Sequence, residues 1–232
     1  MALRLALASL LLAAVFMARS TAAAPPGSTE SVRAIDRLVR AAGANDESAM
    51  WAALSRVSRL RLGPTLSDFR RRGARGVRDG IAPFAQGSYR VILDAIVDRG
   101  LAVVAIAGGR EHDALAVPVR RERGAWKVEI DPAFTVEAVR PQPGERVLRR
   151  TQLFAEVSSP HKIDDAVMFF DGRLFDARAY WSPNRQQMSM WGEAPQPLTN
   201  GHHTVVAFAT AGPEAAANAW VFTARGRGSG SR

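Results

Sequence analysis

The chain has 232 residues, no cysteine, and 31 Lys+Arg against 22 Asp+Glu, a formal net charge of +9 at pH 7. Without cysteine it has no disulfide framework and no lipid-modified cysteine, so its fold rests on hydrophobic burial. Residues 25–138 carry 18 cations against 14 anions and residues 139–232 carry 11 against 8. That excess is too thinly spread to mark a partner by itself.

The first stretch, "MALRLALASLLLAAVFMARSTAAAPPGS", has Arg4 as a short positive leader, an apolar run over residues 5–18 and small residues over 20–24. This is the pattern of a secretory signal peptide, taken as residues 1–23. Cleavage is expected after Ala22 or Ala23 rather than Ala24, because Pro25 would make a poor first residue. Arg19 interrupts the run short of the roughly 20 apolar residues of a membrane span. Export to the bacterial cell envelope or the extracellular space is therefore expected.

Helical periodicity follows. Val32, Ile35, Val39 and Ala42 recur on one face, with Arg33, Arg37 and Arg40 opposite, and Gly43 closes the helix. Asn45 or Asp46 caps a second helix with a Met50, Leu54, Val57 stripe and Trp51 at its edge. After Pro64, a third stripe runs through Leu66, Phe69, Gly73 and Val77. From Tyr89 the period changes to that of strands: "YRVILDAIVD", the buried-looking "LAVVAIAGG", "HDALAVPVR" and "AWKVEID", separated by glycine turns. Three helices and then four strands predict an α+β unit with the helices on one face of an antiparallel sheet.

The stretch "LAVVAIAGGREHDALAVPVRRERGAWKVEIDP" resembles the NTF2-like (cystatin-like) superfamily as it occurs in exported bacterial proteins, over residues 29 to 134. The resemblance implies a curved sheet and helices around a conical cavity. Asp94, together with Trp126, is the candidate for lining it, although Arg90 and Asp98 share the face of Asp94 and point to solvent instead. His112, in "GGREHDA", reads as an exposed hairpin-tip histidine without a partner acid or base. In "FRRRGARGVRD", Arg71, Arg75 and Arg78 share a helix face with Arg72 beside it. They form either a solvated helix back or a contact for an anionic surface. No aromatics interleave with them to stack bases, so nucleic acid is not expected.

"VRPQPGER", residues 139–146, has linker composition, so the first domain is placed at 29–138. Beyond it, strands and turns alternate over residues 147–225, with Asp171-Gly172 a strong hairpin signal. Several short strands of this kind predict an antiparallel β-sandwich. "FFDGRLFDA" and the closing "PLTNGHHTVVAFATAGPEAAANAWVFTA" resemble a bacterial immunoglobulin-like domain. Residues 226–232 complete a glycine-rich basic tail with the composition of disorder.

His202 and His203 are neighbours on a strand, so their side chains point to opposite faces and do not share one ion. Tyr180, Trp181 and Trp191 lie on neighbouring strands; they are expected in core or inter-domain packing, with stacking on sugar faces the alternative. No metal or cofactor is expected. The whole reads as two independently stabilised bodies without reactive chemistry: an exported, non-catalytic binding or scaffold protein whose sandwich is a spacer or adhesion module. Its expected partners are an anionic cell-wall polymer, an envelope protein or carbohydrate, with membrane contact only through export or weak electrostatics. The alternative is a small-molecule carrier or enzyme using the conical cavity.

Overall fold

The computed structural model describes residues 29–85, 87–108, 113–148 and 150–225. The leader, the basic tail and His112 lie outside the described residues. The fold is α+β, five helices followed by thirteen strands among those residues.

Helix α1 (Thr29–Gly43) buries Ile35, Leu38, Val39 and Ala42, the face its periodicity predicts. The second expected helix is two. Asp46 accepts from the Ala49 amide at 2.9 Å to cap α2 (Glu47–Ala53). Leu54 then bridges to Val128, and the Ser55 amide donates to the Val128 carbonyl at 2.8 Å. Ser55 restarts the chain as the cap of α3 (Arg56–Leu62), accepting from the Ser58 amide. The third expected helix also divides, into α4 (Leu66–Arg72) and α5 (Ala74–Ala85). The division falls at Gly73, where a Cβ would come within 2.7 Å of the Leu62 carbonyl oxygen; the backbone needs glycine there for close approach.

Strands β1 (Tyr89–Asp98), β2 (Leu101–Gly108), β3 (Ala114–Glu122) and β4 (Ala125–Val128) form an antiparallel meander in chain order. The remaining strands are β5 (Thr135–Arg140), β6 (Arg146–Leu148), β7 (Gln152–Ser158), β8 (Asp165–Phe170), β9 (Arg173–Phe175), β10 (Arg178–Trp181), β11 (Gln187–Glu193), β12 (Gly201–Ala211) and β13 (Glu214–Arg225). They build a sandwich of two sheets, ordered β10-β11-β7-β5 and β6-β13-β12-β8-β9. All pairings are antiparallel except β13 with β6. Asp171 and Gly172 both have positive φ, 47° and 75°, as the hairpin signal requires.

Strand β5 was not anticipated. Residues 135–138, assigned from sequence to the first domain, pair with β7 of the sandwich. The expected linker, 139–146, begins at the end of β5 and finishes at the start of β6, so it carries the chain between the two sheets of the sandwich.

The layers stack face to face, and three cores fill the spaces between them. Ile35, Leu38, Met50 and Phe69 pack on the side of the meander that carries Val104, Ile106, Val117 and Trp126. Leu153, Met188 and Met190 of one sandwich sheet meet Met168, Trp220 and Phe222 of the other. Between these lies a third core, in which Leu93, Leu101, Val103 and Ala105 of the meander meet Phe169, Val206, Phe208 and Ala219 of the sandwich. The two bodies are not joined in one hydrogen-bonded sheet, yet they share this core, so the expectation of independent stabilisation gives way. Strands β2 and β12 are buried on both faces, which explains their unbroken apolar runs.

A polar clamp closes the same junction. Glu129, 1% exposed, accepts from Arg120 Nε at 2.9 Å and from the Ala215 amide at 2.6 Å. Arg120 also donates to the Pro213 carbonyl. Burial pushes the Glu129 carboxyl up, against the downward pull of Arg120 and the Ala215 amide. Glu214 pairs with Arg61 at 3.2 Å and accepts from the Ala133 amide at 2.6 Å.

Candidate functional site

The two residues expected to line a cavity are not brought together. Asp94 is on β1 and Trp126 on β4, opposite edges of the meander. A register shift between Val91 and Leu93 breaks the alternation of β1. Ile92 turns towards the sandwich, while Asp94 meets α1 and accepts from Ser31 Oγ at 2.6 Å. Asp94 is half-buried, and burial raises its carboxyl above the ordinary range although the Ser31 hydrogen bond opposes this. Trp126 is 7% exposed within the helix-facing core, and its carbonyl accepts from Arg37. Each has a structural partner, the Ser31 hydroxyl for Asp94 and the helix-facing core for Trp126.

The arginine ridge is divided between two helices and interleaved with its own partners. Arg71 lies 2.6 Å from Asp68 and Arg72 3.9 Å from the same carboxylate. Arg75 is 3.5 Å from Asp79, and Arg78 donates to Asn45 Oδ1 at 3.3 Å. Hydrogen bonds from Thr65 and then Arg71 hold the Asp68 carboxyl below its ordinary value. The side chains are exposed, so these pairs contribute little to stability.

His202 and His203 diverge as strand geometry demands. His202 lies near Thr223 Oγ1 at the surface. His203 is buried between Phe170, stacked at 5.4 Å, and Phe222. Its Nδ1 is 2.7 Å from Asp171 and its Nε2 2.9 Å from the Thr199 carbonyl. Asp171 also accepts from the Thr204 amide. The aspartate of the hairpin turn thus locks the turn to β12 through the ring.

The outward face of the β10-β11-β7-β5 sheet offers a different constellation. Cross-strand register places Arg178, Trp191, Phe154 and Arg140 in one row, and Tyr180, Ser189, Glu156 and Glu137 in the next. Tyr180 is 70% exposed, while Trp191 and Phe154 are half-buried. Arg178 lies over the Trp191 ring at 5.0 Å. Trp181, one residue from Tyr180, necessarily faces inward; it packs on the sandwich core with Arg185 over its ring at 4.1 Å. The aromatics sharing the open face are therefore Tyr180, Trp191 and Phe154; of the three expected in core or inter-domain packing, Trp181 packs on the core whereas Tyr180 is exposed. Spacing along the chain does not single out Phe154; the pairing of β7 with β11 brings it beside Trp191.

Beside Tyr180 a groove of about 280 Å³ is lined by Glu156, Ser158, Ser182, Gln187 and Ser189 together with Val157 and Met188. Hydroxyl, amide and carboxylate groups thus border an exposed ring. Such a surface can stack on one flat apolar face and hydrogen-bond around it.

No family model and no curated protein matches this chain. Among solved structures, it is similar to the endo-beta-1,4-mannanase from Thermotoga petrophila at 9% identity and a TM-score of 0.34, over 43% of this chain and 21% of that one. It is also similar to a Jonesia denitrificans lytic polysaccharide monooxygenase, at 21% identity and a TM-score of 0.26, over 37% of this chain and 60% of the other. For titin Ig tandem domains A164-A165 the values are 6% and 0.29, over 55% and 63%. The chain spans less than two thirds of each of these proteins, and likenesses this slight carry no argument about activity or ligand.

Proposed function

We propose that the chain is an exported, non-catalytic binding protein in which an NTF2-like helix-and-sheet unit backs an immunoglobulin-like sandwich, and that the sandwich's outer sheet holds carbohydrate. The observation that carries the reading is the coincidence, on one open face, of Tyr180, Trp191 and Phe154 with a mixed groove in which the polar groups of Glu156, Ser158, Gln187 and Ser189 sit beside Val157 and Met188. A pyranose ring has a flat face of C–H bonds with slight positive charge, suited to the negative face of an aromatic ring, and a rim of hydroxyls suited to side chains of this kind. A protein partner would favour a broad contiguous apolar centre within a polar rim; here Trp191 and Phe154 adjoin, but Arg178 and Arg140 end their row and Ser189, Glu156 and Glu137 fill the next beside Tyr180. Export rests on the leader sequence. The non-catalytic reading is supported by Asp94 and Trp126, each engaged by a structural partner and lying on opposite sheet edges.

The test is calorimetric titration of the mature chain with a panel of neutral oligosaccharides built from glucose, mannose, xylose and N-acetylglucosamine. Binding to one series, weakened about tenfold or more by Tyr180→Ala and by Trp191→Ala, is expected, since each tenfold corresponds to about 1.4 kcal/mol. Absence of binding across the panel, or binding unaffected by both substitutions, would overturn the proposal.

A further inference from the structure

A cluster of cations gathers at the end of α2, on the helical side of the molecule. Arg59 donates from Nε to the Trp51 carbonyl at 2.9 Å and from Nη2 to the Ala52 carbonyl at 2.8 Å. Lys127 Nζ donates to that same Ala52 oxygen at 2.6 Å, so two positive groups converge on one acceptor. Arg37 Nη2 donates to the carbonyl of Trp126, the residue preceding Lys127. The Arg59 guanidinium lies 4.2 Å from the centroid of the Trp51 ring, which holds it flat.

Neutral carbonyls fix these groups but do not balance their charge. Among the described residues, Arg37, Arg59 and Lys127 form no ion pair, whereas Arg71 and Arg75 of the exposed ridge each have one. Glu122 is the anion whose field reaches Arg59 and Lys127, and one of its oxygens already accepts from the Arg56 amide at 2.8 Å. Burial first, and then the nearness of Arg59 and Arg37, pushes the Lys127 ammonium below its ordinary value. Like charges held together in this way are relieved by an anion. The donors for one remain, because an arginine carries five N–H groups and a lysine three, and only one or two of each are used here.

We infer that Arg37, Arg59 and Lys127 form a binding site for a single anionic group, a phosphate or a carboxylate, beside Trp51. The ligand sits on the solvent side of the three cations, since the Trp51 and Ala52 carbonyls behind them repel negative charge. Bidentate contact from a guanidinium suits the planar or tetrahedral oxygens of either group. This site lies on the opposite side of the layer stack from the aromatic face and stands independently of the carbohydrate reading.

The chain has only two lysines, Lys127 and Lys162, so NMR of a lysine-labelled mature chain follows the site with an internal control. The probes are inorganic phosphate in one arm, acetate in a second and a short polyphosphate in a third, with ionic strength held constant by chloride. Lys127 is expected to shift saturably and its titration midpoint to rise, while Lys162 stays in place. The arm that saturates identifies the group, and tighter binding of polyphosphate than of phosphate identifies a polymeric source. Arg59→Gln is expected to weaken binding tenfold or more, and Arg75→Gln to leave it unchanged. Arg37→Gln, at an exposed position, gives the same readout if the Arg59 variant does not fold. Equal movement of the two lysines in every arm, or unchanged affinity in the Arg37 variant, would overturn the assignment.

Discussion

Replacing Glu129 with alanine removes the centre of the clamp between the helical unit and the sandwich. The carboxylate is 1% exposed and accepts from both Arg120 Nε and the Ala215 amide. Truncation orphans a buried amide, worth about 1–3 kcal/mol, and strips a buried pair of one partner, which typically costs about 3–5 kcal/mol. The Arg120 side chain is 28% exposed and keeps the Pro213 carbonyl, so solvent relieves part of its loss. A total destabilisation of about 3–5 kcal/mol is expected. Glu129→Gln keeps the volume and one acceptor but turns an amide donor towards Arg120, so it should fall between wild type and alanine. Because burial opposes the charged carboxyl, a double replacement of Arg120 and Glu129 by methionine should recover much of the loss. Urea denaturation of these four proteins, with Arg120→Met and Glu129→Met as the singles of the double variant, measures all of this as shifts in midpoint at constant slope. An alanine variant less than about 1 kcal/mol below wild type, or a double variant equal to the sum of its singles, would refute the clamp.

The shared core makes a separate demand. Phe208→Ala, at a position 4% exposed between the meander and the sandwich, should cost about 3–5 kcal/mol and separate the unfolding of the helical signal from that of the sandwich tryptophans; coincident unfolding in wild type and variant alike, at little cost, would count against a common core. Tyr89 is hydrogen-bonded to Asp36, and burial with that carboxylate pushes its phenol from 10.0 up to about 12. A raised folded value stabilises fully below the unfolded value, so the advantage of wild type over Tyr89→Phe should hold below pH 10.0 and vanish as pH rises through about 12; an advantage unchanged across that window would contradict the linkage.

Much of the fold was legible because burial leaves a period in the sequence. Helix α1, the four-strand meander and the Asp171-Gly172 hairpin follow from spacing and turn chemistry alone. The breaks were not legible, since Leu54 and Gly73 leave the helical pattern for tertiary reasons: a bridge to Val128 and a close approach to Leu62. The apolar run of β2 signals burial, but a single sequence does not say which layer covers it, and the two-sided burial of β12 emerges only from the packing of the layers. The open face was half legible. Alternation forces Tyr180 and Trp181 apart, whereas the meeting of Trp191 with Phe154 depends on long-range register. The cation cluster escaped notice because Arg37, Arg59 and Lys127 are far apart in sequence and converge only through α2 and β4.

The most direct test of the account is backbone and indole NMR of the mature chain during titration with the neutral oligosaccharide that binds best. The account predicts saturable shifts concentrated in β7, β10 and β11, around Tyr180, Trp191 and Phe154, with the Trp126 indole unmoved. Shifts centred on Trp126 and Asp94, with the outer sheet silent, would contradict it and restore the interior of the helical unit as the ligand site.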